Sequence, residues 1–364
     1  MTDDIWEWFD DQEEEFEWKG DRARLAMAEL HAKAGSFCET DPPRMIRLLK
    51  EGRDRARRLR EPWWVYLYEV WLAMGYQQYV CDLNKALPVA LHCVHEARKP
   101  ELREHPFRIA AHNTLLATYL DIDPLGYADA IQECLRNLSR EIPRRSFEHR
   151  EVMLGHQCFF LMMQGRWKQA RRLELRALAR FEQEGFDKEW YILSTYLNLC
   201  EFAWRERRAD ELRQFGEAAE EIARDYDSRL DVSNAQVWQA VAARLDGDEQ
   251  LARRQFRSAM NRTRRLRKKP EMGHYQAIVA FHELGEDLER CLEARTEELQ
   301  YIKGTGRFGY EADVCLKRCE LLAQLGRLKP KDLAQARASL KPLKKPQPYQ
   351  QRLDKLTRHV SRKR

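Results

Sequence analysis

No run of apolar residues in this 364-residue chain is long enough to span a bilayer, so a membrane-spanning helix is not expected. Met1 is not followed by a basic stretch and an apolar one, so no secretory leader is expected either. Period-two alternation of apolar and polar residues bounded by turn residues is nearly missing, which argues against sheets. The nine cysteines are odd in number and scattered, with no Cys-x-x-Cys pair. That pattern excludes a disulfide framework and a thiolate zinc site, and points to reduced thiols in a cytoplasmic protein. Charge of a single sign is also scarce: 64 basic and 59 acidic side chains leave a net charge of only +5.

What is present is unevenly placed. Residues 1–18 hold nine acids and no base, whereas the segment from Lys341 to Arg364 holds nine bases and only Asp354 as an acid. Opposite charge at two ends marks interaction segments. The expected organisation is an acidic aromatic segment (1–20), a repeat array (21–340), and a capping helix with a basic tail (341–364).

The middle is helical by its spacing. Apolar residues recur three and four apart, as in Trp64, Tyr68, Trp71 and in Leu154, Cys158, Leu161. The segments "LPVALHCVHEA" (87–97), "WKQARRLELRA" (167–177) and "EQLARRQFRSA" (249–259) each carry two alanines seven residues apart. With Ala130 and Leu212 filling the gaps, the anchors fall at 90, 130, 170, 212 and 252, a period near 40, with weaker ones near Arg290 and Leu333. Upstream lies a second helix whose small residues (Cys158, Cys200, Ala240, Cys319) precede turns such as "QGRWK", "LDGDE", "LGEDL" and "LGRLK". Small residues at fixed points let helices approach closely. Pro62, Pro100, Pro143 and Pro270, or Gly185 and Gly304, mark the unit boundaries.

"QGRWKQA" and the Ala-x3-Phe step "ARRQF" (252–256) are similar to the turn-plus-alanine signature of the tetratricopeptide-repeat superfamily. The resemblance covers residues 44–340, in a long-period form lacking most of the family's Trp and Leu-Gly signals. It implies an all-α, right-handed α-solenoid of about eight antiparallel helix pairs, used as a protein-binding scaffold or adaptor. In such a fold the first helices line a concave groove. Aligning the anchors puts Tyr119, Phe159, Met163, Trp204, Arg205, Arg244, Tyr275 and His282 on that groove. Aromatics mixed with arginine suit a partner peptide or helix with apolar and acidic groups.

The second helices line the outer wall by the same resemblance, and "ARRQFRSAMNRTRRLRKK" (252–269) is the most basic of them. Ala252, Phe256, Ala259 and Met260 would face the stack, leaving Arg253, Arg257, Arg262, Arg264, Arg265 and Arg267 outward. A merely solvated face and a functional basic surface both remain open. The functional version is a rival role, nucleic-acid binding without sequence preference through these helices and the tail.

Enzyme chemistry finds no constellation, and no cofactor or metal is expected. "GTGRFG" (304–309) has the spacing of a dinucleotide loop but follows a helix, so Gly304 reads as a helix stop and Gly306 and Gly309 as turn residues. His92 and His95 lack the partners that zinc needs. His149, His156 and Cys158 are not spaced as a nucleophile with its base. The segment "IWEWFDDQEEEFEW" (5–18), with Trp6, Trp8, Phe9, Phe16 and Trp18, is too apolar for a linker. It could cap the array, occupy the protein's own groove, or dock on a partner.

Overall fold

The computed structural model describes residues 5–38, 40–143, 146–184, 189–225, 227–266 and 272–362. Every regular element among them is helical. They form two compact units, residues 1–156 with 304–307 and residues 157–303 with 308–364. The helices run α1 (Ile5–Trp18), α2 (Arg22–Gly35), α3 (Pro42–Leu59), α4 (Pro62–Met74), α5 (Leu83–Glu96), α6 (Arg108–Ile122), α7 (Ala128–Glu141) and α8 (Phe147–Met163). They continue as α9 (Trp167–Glu184), α10 (Glu189–Arg205), α11 (Ala209–Asp225), α12 (Arg229–Leu245), α13 (Glu249–Arg265) and α14 (Met272–Leu284). Last come α15 (Leu288–Ile302), α16 (Phe308–Gln324), α17 (Pro330–Ser339) and α18 (Gln347–Arg362).

The boundaries follow from local chemistry. Asp21, Asp41, Asp82, Asp248 and Asp287 each precede a helix and accept a hydrogen bond from the backbone N–H three residues on, at 2.9–3.2 Å. This satisfies an amide that has no partner in the first turn. Helix ends are closed by left-handed residues, including Gly165 (φ +74°), Gly247 (φ +85°) and Gly326 (φ +68°) in the turns noted above. In "LGEDL" the left-handed residue is Glu286 (φ +56°), not Gly285. Gly285 is needed for space, because a Cβ there would meet the Arg244 guanidinium at 2.4 Å.

In unit 1, α1 to α7 pack each against the next. Their centre is aromatic. Trp64, 1% exposed, meets the rings of Trp8 at 5.4 Å, Phe9 at 5.3 Å, Phe16 at 6.1 Å and Tyr68 at 6.2 Å. Helix α1 therefore docks on its own unit through Trp8, Phe9 and Phe16, while Trp18 stays 85% exposed. The Trp6 side chain lies outside the described residues.

Unit 2 is built on small residues. The odd-numbered helices bury an anchor each, Ala170, Leu212, Ala252, Cys291 and Leu333, 39 to 42 residues apart. One expected anchor misses by a residue, and the weaker one placed near Arg290 falls on its neighbour Cys291. Ala130 in unit 1 is only half-buried while Ile131 is fully buried, and Arg290 is exposed while Cys291 is buried. The side chain that reaches the partner helix is set by the helix's rotation, which a period estimate fixes only to within a residue. The cysteines act as small apolar groups with a weak donor. Cys158 donates its S–H to the carbonyl of Ala170 at 3.6 Å, Cys291 to Val279 at 3.7 Å, and Cys319 to Asp332 at 3.6 Å.

Helices α10, α12 and α14 also approach one another directly, and α12 with α14 is the closest of these pairings. Ala240 and Ala242 on α12, and Ala277 and Ala280 on α14, are wholly buried in one core, so the helices come together without bulky spacers. At the chain's end, α18 packs on α16 and α17 through Tyr349, Leu353 and Leu356. Its Arg352 pairs with Asp313 at 2.5 Å and Glu320 at 3.0 Å.

Helix α13 contains the described part of the basic stretch. Ala252 and Ala259 are fully buried, and Phe256 and Met260 pack half-buried on the same core, with Phe256 stacked 4.0 Å from Phe281. The "GTGRFG" turn joins two helices. Gly304 (φ +81°) and Gly306 (φ +84°) are left-handed, but Gly309 lies within α16 rather than in the turn.

Candidate functional site

The N-terminal halves of α10, α12 and α14 enclose a cleft of about 350 Å³ in unit 2. Apolar walls come from Trp190, Leu193, Leu197, Leu230 and Trp238, and polar groups from Ser194, Asn198, Glu201, Asp231, Asn234 and His274. Trp238 is 2% exposed and forms the floor, whereas Trp190 at the rim is 49% exposed and stacked on Tyr191. Among the described residues no lysine or arginine lines the cleft.

Most of these polar groups are held in place. Asn198 Nδ2 donates to Glu174 Oε1 at 2.8 Å. Glu174 is 4% exposed, and burial pushes its carboxyl above the usual range. Glu201 accepts from Arg205 at 2.7 Å, and Asp231 accepts from the Ser228 hydroxyl at 2.5 Å. Two groups are not satisfied. His274 is 1% exposed with neither ring nitrogen bonded, and the Oδ1 of Asn234, 7% exposed, has no donor. Burial pushes the His274 imidazole down to about 4, so it is neutral at pH 7. Leaving a buried polar group unpaired costs about 1–3 kcal/mol, which a ligand offering the missing bonds would recover.

The residues expected on the groove from repeat alignment lie elsewhere, mostly one or two turns along. Tyr119 belongs to unit 1, stacked on Tyr127 at 4.6 Å. Trp204 and Tyr275 are core residues, 8% and 2% exposed, with Trp204 packed 6.1 Å from Trp238. Phe159, half-buried, stacks 6.0 Å from Tyr310, and Met163 is half-buried at the end of α8. The two arginines are engaged internally. Arg205 lies 3.8 Å over the Trp167 ring and pairs with Glu201. Arg244 sits 3.7 Å over Phe281, donates to its carbonyl at 2.6 Å, and pairs with Glu249 at 2.6 Å. His282 packs at 5.0 Å on Phe256, and burial pushes its imidazole down to about 4. None of this set lines the cleft, but Arg205 and Trp204 touch two residues that do, Glu201 and Trp238.

A signal for the cleft was present in the sequence. Ser194, Asn234 and His274 are 40 residues apart, one repeat period. Asn198 and Asn234 also sit in helix interiors, where asparagine is disfavoured because its amide competes for backbone bonds.

On α13, Arg253, Arg257, Arg262, Arg264 and Arg265 are all exposed. Arg253 pairs with Glu249 and Arg264 touches Asn261, whereas Arg257, Arg262 and Arg265 pair with no described residue. Arg267 lies outside the described residues. Elsewhere, His92 pairs with Glu69 at 3.1 Å, and Cys93 is buried. Burial pushes the thiols of Cys158 and Cys200 upward, and that of Cys291 to about 11, which makes them poor nucleophiles. Among the described residues no group of three or more His, Cys, Asp or Glu could hold a metal ion, and no helix is long and apolar enough to cross a membrane. No family model matches the chain, and no curated protein matches it significantly.

Proposed function

We propose that the protein is a non-enzymatic interaction scaffold. On this reading α2 to α17 form about eight antiparallel helix pairs of a right-handed, tetratricopeptide-like solenoid, with α1 and α18 as caps. The even-numbered helices line the concave side, which holds a peptide or helix from another protein. The observation that carries the reading is the α10–α12–α14 cleft with its buried, unsatisfied His274 and Asn234. A helix array that spends free energy on such groups gains it back when a partner fills them. The close approach of α10, α12 and α14, against the lack of comparable contact between odd-numbered helices, supports these three as the inner layer.

A second reading has its own observation, the exposed and unpaired Arg257, Arg262 and Arg265 of α13. They would hold phosphates electrostatically. The two separate in one experiment: capture from nuclease-treated and untreated lysate with the wild type, with Trp190→Ala, and with Arg262→Glu/Arg264→Glu/Arg265→Glu. Scaffold function predicts a nuclease-resistant protein lost with Trp190→Ala and kept by the charge reversal. Nucleic acid recovered by the wild type and lost only in the charge reversal would replace it.

A further inference from the structure

We infer that the cleft takes a guanidinium group, the arginine side chain of a partner polypeptide; this rests on the scaffold reading above and names the chemistry of its ligand. The argument starts from what the cleft offers. The carboxylates of Glu201 and Asp231, the free Oδ1 of Asn234 and the unprotonated nitrogen of neutral His274 are all acceptors. Among the described residues no cationic side chain lines the space, and Arg205, which pairs with the lining Glu201, is already engaged by it. An acidic group entering here would meet like charge and few donors, so the acidic partner expected from the sequence does not fit this cleft. A purely apolar group would leave the acceptor nitrogen of His274 and the Asn234 oxygen buried and unpaired.

The walls narrow the choice of cation. Trp190 presents a half-exposed indole at the mouth and Trp238 closes the floor, so a planar, weakly hydrated cation can stack while its N–H groups fan out to the acceptors. Guanidinium has five donors in one plane, whereas an ammonium has three and holds its water more strongly. A cleft of about 350 Å³ is at the small end of ligand pockets and suits one long side chain better than a helix face.

The test is selection of a random linear peptide library, displayed on phage, against the full chain. The expected result is enrichment of arginine at one position. Replacing that arginine by citrulline, which has the same shape without the charge, should weaken binding about tenfold or more. Asp231→Asn should weaken the arginine peptide similarly and leave the citrulline peptide unchanged. Trp190→Ala removes an exposed ring, so it keeps the fold and serves where Asp231→Asn disturbs the start of α12. Selected peptides that need Trp190 but contain no arginine, or that tolerate citrulline, would overturn the inference and leave the scaffold reading standing. A library yielding no peptide sensitive to Trp190→Ala or Asp231→Asn would overturn both.

Discussion

Trp64 in unit 1 and Ala240 in unit 2 are equally hidden, at 1% and 0% exposure, yet they solve opposite packing problems. Around Trp64 the space between helices is filled by rings: Trp8, Phe9, Phe16 and Tyr68, with Trp63 and His105 close by. Around Ala240 it is closed by removing side-chain volume, so that α12 lies close against α11, α13 and α14. Large rings suit a place where helices of unlike length and angle meet, because one ring touches many neighbours and buries roughly 150–250 Å². Small residues suit a regular stack, where each layer must meet the next at the same distance. The cleft lies among the closely packed helices of unit 2, where the polar residues of α10, α12 and α14 face one another.

The sharpest way to break this contrast is to exchange the two strategies. Trp64→Ala should destabilise unit 1 by about 3–5 kcal/mol, since the ring cage cannot collapse onto a methyl group. Hydrogen exchange resolved along the chain should show the loss in unit 1. Acid should come next. His31 and His105 in unit 1 and His274 in unit 2 are all buried, and burial pushes each down to about 4. Between about pH 6.5 and 4 the unfolded imidazole binds a proton that the folded one refuses. Stability is therefore full above pH 6.5 and falls as pH drops toward 4, by about 2 kcal/mol per histidine at pH 5. Replacing His274 by Asn should shrink the acid limb of unit 2, leaving the share that His282 contributes, and leave that of unit 1 in place, as read from denaturant midpoints and exchange at several pH values.

Ala240→Leu should cost about 1–3 kcal/mol by overpacking, and its effect should appear in the exchange of α12 and of a helix packed on it. The same leucine at the half-buried Ala130 should cost less, because that residue does not reach the partner helix. The smallest effect is expected from Arg257→Gln with Arg262→Gln on α13, within about 0.5 kcal/mol, since neither side chain has a described ion-pair partner. A larger loss, measured by thermal melting, would mean that the basic face is structural.

The helical class, the anchors near every fortieth residue and the turns between them were legible because they depend on local rules: spacing, capping aspartates and left-handed glycines. The core role of Ala252 and Ala259 in the Arg-rich stretch was legible for the same reason. The docking of α1 was readable only as one of several options, since Trp8 and Phe9 could have served a partner equally well until Trp64 was seen beside them. Arg205 and Arg244 had the chemistry of a binding groove, and that chemistry was taken up partly by near neighbours, Glu201 and Glu249, and partly by the distant Trp167 ring and Phe281 carbonyl.

The sequence by itself determined which stretches are helices and which residue on each is small enough to be buried, because both follow from contacts within a few turns of chain. Only the tertiary structure decided which polar side chains are left without partners. Whether His274 is satisfied depends on what α10, α12 and α14 bring to one point, and that residue's own neighbours in the chain carry no record of it.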